Sequence, residues 1–303
     1  MQAETPVRVL VVGECMLELR HRSQLELELG FAGDTYNTAV YLYRMADRLG
    51  VDVEVGYLTG LGDDMYSTQM RSAWRREGIA DRSVTIPGRQ PGLYVVHTDP
   101  GGERSFTYWR SASAASVLFA GTQWLDQLNA DLVHFSGITL QLMSRTALSG
   151  FLDRLAKLRS QGSTVSFDTN FRPSGWNDVA EAREVFARAA GQADIVLATD
   201  DDEQLLWGDR PQESAERYRQ WGAREVIVKM GPAGALVANA SGTQPVPATP
   251  VPVVVDTTAA GDSFAGAYLA ARLTGKPPVE AARLGAATAA VVIQSPGAII
   301  ARV

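Results

Sequence analysis

The architecture of this chain can be read from one segment near its C-terminus, Asp256-Thr257-Thr258-Ala259-Ala260-Gly261-Asp262-Ser263-Phe264. A valine-rich run precedes the segment at 251–255, and apolar residues at helical spacing follow it as far as Gly275. The pattern predicts a strand, a tight turn and a helix, with Asp262 in the first turn of the helix. The N-terminus of a helix carries unpaired N–H groups and a partial positive charge, which suit a phosphate group. An acid at that point could accept a proton from a hydroxyl group, although Asp262 could equally be an ordinary helix cap.

The composition is that of a globular protein and excludes several classes of function. The chain has 303 residues, 46% of them hydrophobic, and a formal net charge of −6. Such a balance gives no basic surface of the kind that binds nucleic acid. Cys15 is the single cysteine, which excludes an intramolecular disulfide and a cysteine metal cluster. We find no signal peptide and no apolar stretch of membrane-spanning length, so we expect a cytoplasmic protein with no membrane partner.

Strand and helix patterns alternate along most of the chain. Strands are predicted at 7–12, 53–58, 132–135, 164–168, 195–198 and 226–230. Helices are predicted at 33–49, 63–77, 143–159, 178–190, 202–207 and 213–221. This alternation predicts an α/β fold, a Rossmann-like αβα sandwich around a mainly parallel sheet. Because no linker divides the chain, we expect one domain over residues 1–303, with its site beyond the carboxyl ends of the strands.

Two further strand pairs differ from these buried strands. Residues 17–20 and 25–29 alternate apolar and charged side chains, and so do 92–98 and 103–110, which a turn at 99–102 joins as a hairpin. They predict a small β-sheet lid, inserted at about 15–32 and 91–111, which could cover a site or pair with another subunit. Ordinary edge strands of the main sheet are the alternative interpretation. We expect a homo-oligomer formed through the lid.

Polar residues follow several of the predicted strands. Asn170 and Arg172 come after the strand that ends at Asp168, and Arg172 could bind a carboxylate or phosphate or simply be a solvated loop residue. The four acids at 200–203 suit magnesium or, as an alternative, the dipole at a helix start. Lys229, Gly231 and Gly234 flank the end of another strand, where the glycines allow a close ligand or a plain hairpin.

Several familiar catalytic motifs are missing. The three histidines, His21, His97 and His134, have no metal-binding spacing, and there is no G-x-S-x-G, H-E-x-x-H or G-x-x-x-x-G-K-[ST] motif. The turn after the first strand also lacks the dinucleotide fingerprint. What remains is a carboxylate base, a helix N-terminus, an arginine and an acidic cluster. These are the components of phosphoryl transfer to a hydroxyl group.

Two segments resemble the signatures of a known family. The segment 256–264 resembles the C-terminal signature of the ribokinase-like (PfkB) carbohydrate kinases, and Ala32-Gly33-Asp34-Thr35-Tyr36-Asn37-Thr38-Ala39 resembles their N-terminal sugar-binding signature. The resemblance covers essentially the whole chain and implies a sugar kinase that uses ATP and Mg²⁺. It implies that Asp262 is the general base, with an anion hole of N–H groups at Ala260, Gly261 and Asp262. It further implies that Lys229, Gly231 and Gly234 lie along the nucleotide and that the helix at 278–293 walls the adenine.

The chain departs from the family pattern at two points. Where the family often has Asn-x-x-Glu serving magnesium and phosphate, this chain has Asp200 in place of the asparagine and keeps Glu203, the implied metal ligand. Ala259 stands where the commoner signature has glycine, so we expect a negative φ at that residue.

Four more segments resemble the family members that phosphorylate 2-keto-3-deoxygluconate, an anionic sugar acid. They are residues 13–18, 91–94, 103–110 and 168–173. Arg110 and Arg172 could hold the carboxylate of such a substrate. A neutral sugar has no carboxylate and so has less need of these arginines. The substrate-binding residues implied in this way are Gly33, Asp34, Asn37, Tyr94, Tyr108, Arg110, Asn170, Arg172 and Asp262. The catalytic residues implied are Asp262, Gly261, Ala260 and Arg172.

Three alternatives remain open. The chain could be a family kinase for fructose, ribose or another keto-deoxy sugar acid, or a non-catalytic relative that senses sugar or nucleotide. An oxidoreductase on a similar sheet is disfavoured by the missing glycine fingerprint.

Overall fold

The computed structural model describes residues 5–23, 25–98 and 104–302. The strands are β1 (Val7–Val12), β2 (Met16–His21), β3 (Leu27–Ala32), β4 (Val53–Leu58), β5 (Gly60–Leu61), β6 (Ala80–Asp81), β7 (Val84–Thr85), β8 (Leu93–Thr98), β9 (Arg104–Trp109), β10 (Leu132–Ser136), β11 (Thr164–Asp168), β12 (Ile195–Thr199), β13 (Glu225–Lys229), β14 (Ala235–Asn239) and β15 (Gly242–Val246). The helices are α1 (Asp34–Arg48), α2 (Met65–Arg76), α3 (Ala114–Ala120), α4 (Gly137–Gln141), α5 (Arg145–Ser160), α6 (Val179–Ala190), α7 (Asp200–Trp207), α8 (Pro211–Gln220), α9 (Ala260–Leu273) and α10 (Pro278–Val292). No helix in these residues is both long enough and apolar enough to cross a membrane.

The main sheet confirms the predicted fold class. Its nine strands in the described residues run in the order β15-β14-β13-β12-β11-β10-β1-β4-β6. The pairs from β13 through β12, β11, β10 and β1 to β4 and β6 are parallel, and only β14 and β15 add antiparallel edges. Apolar clusters cover both faces of this sheet, because helices pack on each side. The result is an αβα sandwich.

A separate small sheet, formed by β2, β3, β8 and β9 in the order β3-β2-β8-β9, accompanies the main sheet. Cross-strand pairing places Glu18, Tyr94 and Tyr108 on one face, and Leu19, Leu29 and Val95 on the other. The first face turns toward a large cavity, which Tyr94 and Tyr108 line. The predicted hairpin turn at 99–102 lies outside the described residues. That residues 1–303 form a single domain stays a prediction.

The face of the small sheet that points away from the cavity carries exposed apolar side chains. We call it the outer face; it includes Leu19, Leu27, Leu29, Val95 and Trp109. Leu27, Leu29 and Trp109 are 46%, 42% and 57% exposed, respectively. His21 and His97 lie near the ends of β2 and β8, and their ring centroids are 5.9 Å apart. The sequence reasoning did not indicate this contact.

Two local predictions were wrong. Residues 251–255 do not form a strand, because Pro250 and Pro252 remove ladder donors, and Val255 instead donates its N–H to the carbonyl of Ile293. The helix predicted at 202–207 begins two residues earlier, at Asp200, so that all four acids at 200–203 lie in its first turn. Four carboxylates near the positive end of the helix dipole account for the earlier start.

The helices α1 and α9 approach each other closely, and their first turns form one end of the cavity. A Cβ on Gly266 in α9 would lie 2.6 Å from the carbonyl oxygen of Thr38 in α1, so only glycine fits there. The close packing brings the first turns of the two helices side by side. Asn37 and Asp262, which are 225 residues apart in sequence, therefore meet.

Candidate active site

A cavity of about 1580 Å³ lies between the carboxyl ends of the main-sheet strands and the small sheet. Most of the predicted site residues line it: Gly33, Asp34, Asn37, Tyr94, Tyr108, Arg110, Asn170, Arg172, Lys229, Ala260, Gly261 and Asp262. Four predicted residues do not line it: Asp200, Glu203, Gly231 and Gly234. The cavity also takes in Glu14 and Asp168, which the sequence reasoning did not assign. Of the four acids that were considered for magnesium, Asp201 and Asp202 line it.

Asp262 is the third residue of α9, and its carboxylate faces the cavity. Asn37 donates its side-chain N–H to Oδ2 of Asp262 at 2.8 Å, and the residue lines the cavity. Burial, together with the nearby negative charge of Asp34, raises the pKa of Asp262 to about 7. A carboxylate with such a pKa can accept a proton at neutral pH more effectively than an ordinary aspartate.

The turn before α9 differs in two ways from what the sequence predicts. Ala259 has φ of 59°, in the left-handed region, so the expectation of a negative φ was wrong. The N–H of Ala260 is not free for an anion, because it donates to the carbonyl of Thr257 at 3.2 Å. Within the residues that the structure describes, the N–H groups of Gly261 and Asp262 have no protein acceptor. These two groups remain available to an anionic ligand at the start of the helix.

Lys229 lies directly behind this turn. Its ammonium donates to Oδ2 of Asp168 at 2.8 Å, and both side chains are buried. A Cβ placed on Gly261 would lie 3.4 Å from Nζ of Lys229, so the positive charge sits against the anion-binding turn. The sequence reasoning missed Asp168 as a site residue. The available signal was its position, since an acid ends a buried central strand where parallel strands present their ligands.

Both arginines that were predicted to hold a carboxylate already have acidic partners. Nη2 of Arg110 lies 2.6 Å from Oε2 of Glu14, whose side chain is fully buried. Nη1 of Arg172 lies 3.1 Å from Oδ1 of Asp202 and also donates to the carbonyl of Phe171. The two guanidinium groups are therefore held at the cavity wall by ion pairs before any ligand arrives.

The remaining sugar-side residues are tied together by side-chain hydrogen bonds. Asn170 donates its side-chain N–H to Oδ2 of Asp34 at 2.8 Å, and its own φ is positive at 29°. Tyr94 donates its hydroxyl to Oε1 of Glu18 at 2.9 Å. Tyr108 projects from β9 with about half of its surface exposed. These bonds fix the positions of groups that come from β2, β8, α1 and the loop after β11.

The acidic cluster at the start of α7 divides between the cavity and the interior. Asp201 and Asp202 line the cavity, and burial raises the pKa of Asp202 while Arg172 opposes that shift. Glu203 points away from the cavity and accepts from Arg217 at 2.6 Å and from Tyr218 at 3.0 Å. The geometry thus does not support the prediction that Glu203 binds the metal. No group of three or more His, Cys, Asp or Glu side chains within the described ranges is arranged to hold a metal ion.

The two glycines that were expected along the nucleotide lie outside the cavity. Gly231 and Gly234 belong to the short turn between β13 and β14, where Met230 donates its N–H to the carbonyl of Gly234. The hairpin interpretation accounts for both glycines.

Comparisons with known proteins agree with this geometry. Residues 7–302 match the family model described as "pfkB family carbohydrate kinase". The chain is 42% identical to the 2-dehydro-3-deoxygluconokinase of Escherichia coli (strain K12), with 97% of each chain covered. It is 38% identical to the enzyme of that name from Dickeya dadantii, with 98% of this chain and 97% of the other covered.

Solved structures show the same fold. A PfkB protein from Polaromonas sp. JS666 is 29% identical, with a TM-score of 0.82 over 96% of this chain and 98% of the other. A 2-dehydro-3-deoxygluconokinase from Thermotoga maritima, 23% identical, has a TM-score of 0.83 over 97% and 96% of the two chains. The site geometry, the matched family model and these relatives lead to one conclusion: the chain belongs to the pfkB family of carbohydrate kinases.

Proposed function

We propose that this kinase transfers the γ-phosphoryl group of ATP to the terminal hydroxyl of 2-dehydro-3-deoxygluconate, the sugar acid also called 2-keto-3-deoxygluconate. The observation that carries the proposal is the presence of Arg110, Arg172 and Asp262 around one cavity. Two cations suit the carboxylate of a sugar acid, and the carboxylate of Asp262 suits its hydroxyl. The names of the relatives at 42% and 38% identity support the same substrate.

Asp262 is the general base in this proposal. It takes the proton from the terminal hydroxyl as the oxygen attacks the phosphorus, and Asn37 holds the carboxylate in place through Oδ2. The raised pKa matches the group to proton transfer near neutral pH. The free N–H groups of Gly261 and Asp262 lie beside the base and can stabilise negative charge on the transferred group.

The donor side of the cavity fits a nucleotide phosphate and a magnesium ion. The unpaired N–H groups at the start of α9 and the ammonium of Lys229 suit the phosphates. The carboxylates of Asp201 and Asp202 line the same cavity and offer the oxygen ligands that magnesium prefers, alongside waters and phosphate oxygens. Bound magnesium neutralises phosphate charge during transfer.

The remaining predicted residues form the acceptor side. Arg110 and Arg172 bind the carboxylate, and the polar groups of Tyr94, Tyr108 and Asn170 reach the sugar hydroxyls. The first turn of α1 adds Gly33, Asp34 and Asn37, which line the cavity together.

The test is ADP release with ATP, Mg²⁺ and a panel of acceptors: 2-dehydro-3-deoxygluconate, fructose, ribose and gluconate. We expect selective turnover of the keto-deoxy acid. Turnover of a neutral sugar instead would support the kinase activity but reject the proposed substrate. A folded protein that binds ATP and phosphorylates none of them would favour a sensing role.

We also propose that two copies of the chain pair through the outer face of the small sheet. Leu27, Leu29 and Trp109 are exposed on the same face of the sheet, and grouped exposed apolar side chains are typical of interaction surfaces. Light scattering after size-exclusion chromatography should give a dimer, and Leu29→Glu should give a monomer. A monomeric wild-type chain would reject the pairing.

A further inference from the structure

Glu14 is a buried carboxylate that the proposed reaction does not use. It follows β1, its side chain is fully buried, and Oε2 lies 2.6 Å from Nη2 of Arg110. Its other oxygen, Oε1, accepts a hydrogen bond from the hydroxyl of Ser113. A Cβ on Gly92 would lie 2.8 Å from Oε1, so the chain just before β8 also packs against the carboxylate. Three segments from the main sheet and the small sheet therefore meet at Glu14.

Stability alone does not explain this arrangement. Removing a carboxylate from water costs several kcal/mol, roughly as much as its ion pair returns, and apolar side chains of similar volume often do as well. Burial raises the pKa of Glu14, while Arg110 and Ser113 oppose that rise. What the ion pair provides is a fixed position for the guanidinium at the cavity wall.

The guanidinium of Arg110 is only partly enclosed. Its Nε and Nη2 are buried, but about a fifth of the side chain is accessible. Arg110 follows directly after β9 and lines the cavity. An arginine that is held on one side by an ion pair can present its accessible N–H groups to a carboxylate.

We infer that Glu14 is a positioning residue for sugar-acid recognition: it orients Arg110 toward the carboxylate of the acceptor and ties that contact to the small sheet. The inference rests on the proposed function, because it needs an anionic acceptor. It assigns Glu14 no contact with the reacting atoms.

The charge of Glu14 alone predicts that its neutralisation strengthens acceptor binding, whereas the positioning role predicts that it weakens binding. A negative carboxylate beside Arg110 should compete with an anionic acceptor, so its neutralisation would strengthen binding if charge decided the matter. If position decides, Glu14→Gln releases Arg110 and weakens binding. The two accounts differ in the sign of the change in KM for the sugar acid.

The experiment measures KM for the acceptor, KM for ATP and kcat in Glu14→Gln. We expect KM for 2-dehydro-3-deoxygluconate to rise about tenfold, the scale of one charged hydrogen bond, with KM for ATP and kcat within about threefold of wild type. Glu14→Asp keeps the charge and shortens the side chain, so it should also raise KM for the acceptor. It serves as the second variant if Glu14→Gln does not fold.

The matched control is Glu225→Gln. Glu225 lies outside the cavity, and Oε1 lies 2.6 Å from Nη2 of Arg272 while Oε2 accepts from the hydroxyl of Tyr268. This variant weakens a comparable, partly buried ion pair, so it should lower thermal stability without changing either KM. If Glu14→Gln and Glu225→Gln changed KM and kcat equally, the role of Glu14 would be structural only, and the inference would be overturned.

A double variant separates the inference from the proposed function. In an Arg110→Ala background, Glu14→Gln should add no further rise in KM, because Glu14 acts through Arg110. A full additional rise there, or an unchanged or lower KM in Glu14→Gln alone, would overturn the inference. Failure of the proposed function has another signature: wild type would show no preference for the sugar acid over fructose.

Discussion

The wall of the cavity that comes from the main sheet differs in construction from the wall that comes from the small sheet. On the first wall, α9 is packed against α1 so tightly that Gly266 admits no side chain, and Lys229 is buried against Asp168. On the second wall, Tyr108 and Arg110 stand on or just beyond β9, in a sheet whose outer face is exposed and apolar.

The difference suggests a division of labour. Proton transfer and phosphoryl charge need groups fixed to within fractions of an ångström, which packed helix and strand ends provide. Recognition of one acceptor among many needs side chains that can differ between related proteins, which an inserted sheet provides. Changes at Asp262, on the first wall, should then act on kcat, and changes on the second wall should act on KM. Arg172, in the loop after β11, is the part of the first wall that we expect to act on KM, because it is an exposed loop residue rather than part of the packed helix ends.

The largest expected effect is that of Asp262→Asn. The amide is nearly isosteric and keeps an oxygen for Asn37, but it cannot take a proton, so kcat should fall by about 10²–10⁴. Single-turnover and steady-state assays should show KM values close to those of wild type. Near-normal turnover would show that Asp262 is not the general base and would contradict the proposed difference between the two walls.

Next in size are the two arginines, compared as Arg110→Ala and Arg172→Ala. Each should raise KM for the sugar acid by about 10- to 100-fold, the worth of hydrogen bonds to a charged group, and hardly change turnover of a neutral sugar. Only Arg110→Ala should also lower the melting temperature clearly, because it leaves Glu14 buried without its cation. Asp202, beside exposed Arg172, keeps access to the cavity.

The pH dependence should follow the first wall. Because the pKa of Asp262 is raised to about 7, the base becomes protonated as the pH falls through that value. The value of kcat/KM should therefore fall about tenfold per pH unit below that point and level off above it. A profile that stays flat down to pH 5 would contradict the raised pKa. Arg110→Ala, which belongs to the second wall, should leave the inflection in place.

The smallest effect is that of Ala259→Gly. Ala259 has φ of 59°, where an L-residue costs about 1–2 kcal/mol and glycine costs none. The greater freedom of glycine in the unfolded chain offsets part of this, so the free energy of unfolding should rise by about 1 kcal/mol. Denaturant titration measures it, and Ala267→Gly, in the interior of α9, is the control that should destabilise. A less stable Ala259→Gly variant would show that the turn gains nothing from glycine.

Much of the fold could be predicted because it rests on local patterns. Buried strands such as β1 and β12 are mostly apolar, and helices such as α1 are bounded by Gly33 and Gly50. The same reasoning wrongly predicted a strand in the segment at 251–255. Its valines favour a strand, but a strand also needs a partner edge, and the prolines of this segment cannot donate to one.

The sequence by itself determined the class of the protein: the order of the strands and helices, the acid at the start of α9, and which polar residues stand at strand ends. These follow from side-chain periodicity and from turn chemistry, both of which act between near neighbours. The tertiary structure decided how those residues are used. It placed Glu14 against Arg110 and Asp168 against Lys229, turned Glu203 inward, and closed the N–H of Ala260 on Thr257. Such pairings join residues that are distant in the chain, and they depend on burial, which makes an unpaired charge costly and so selects one partner.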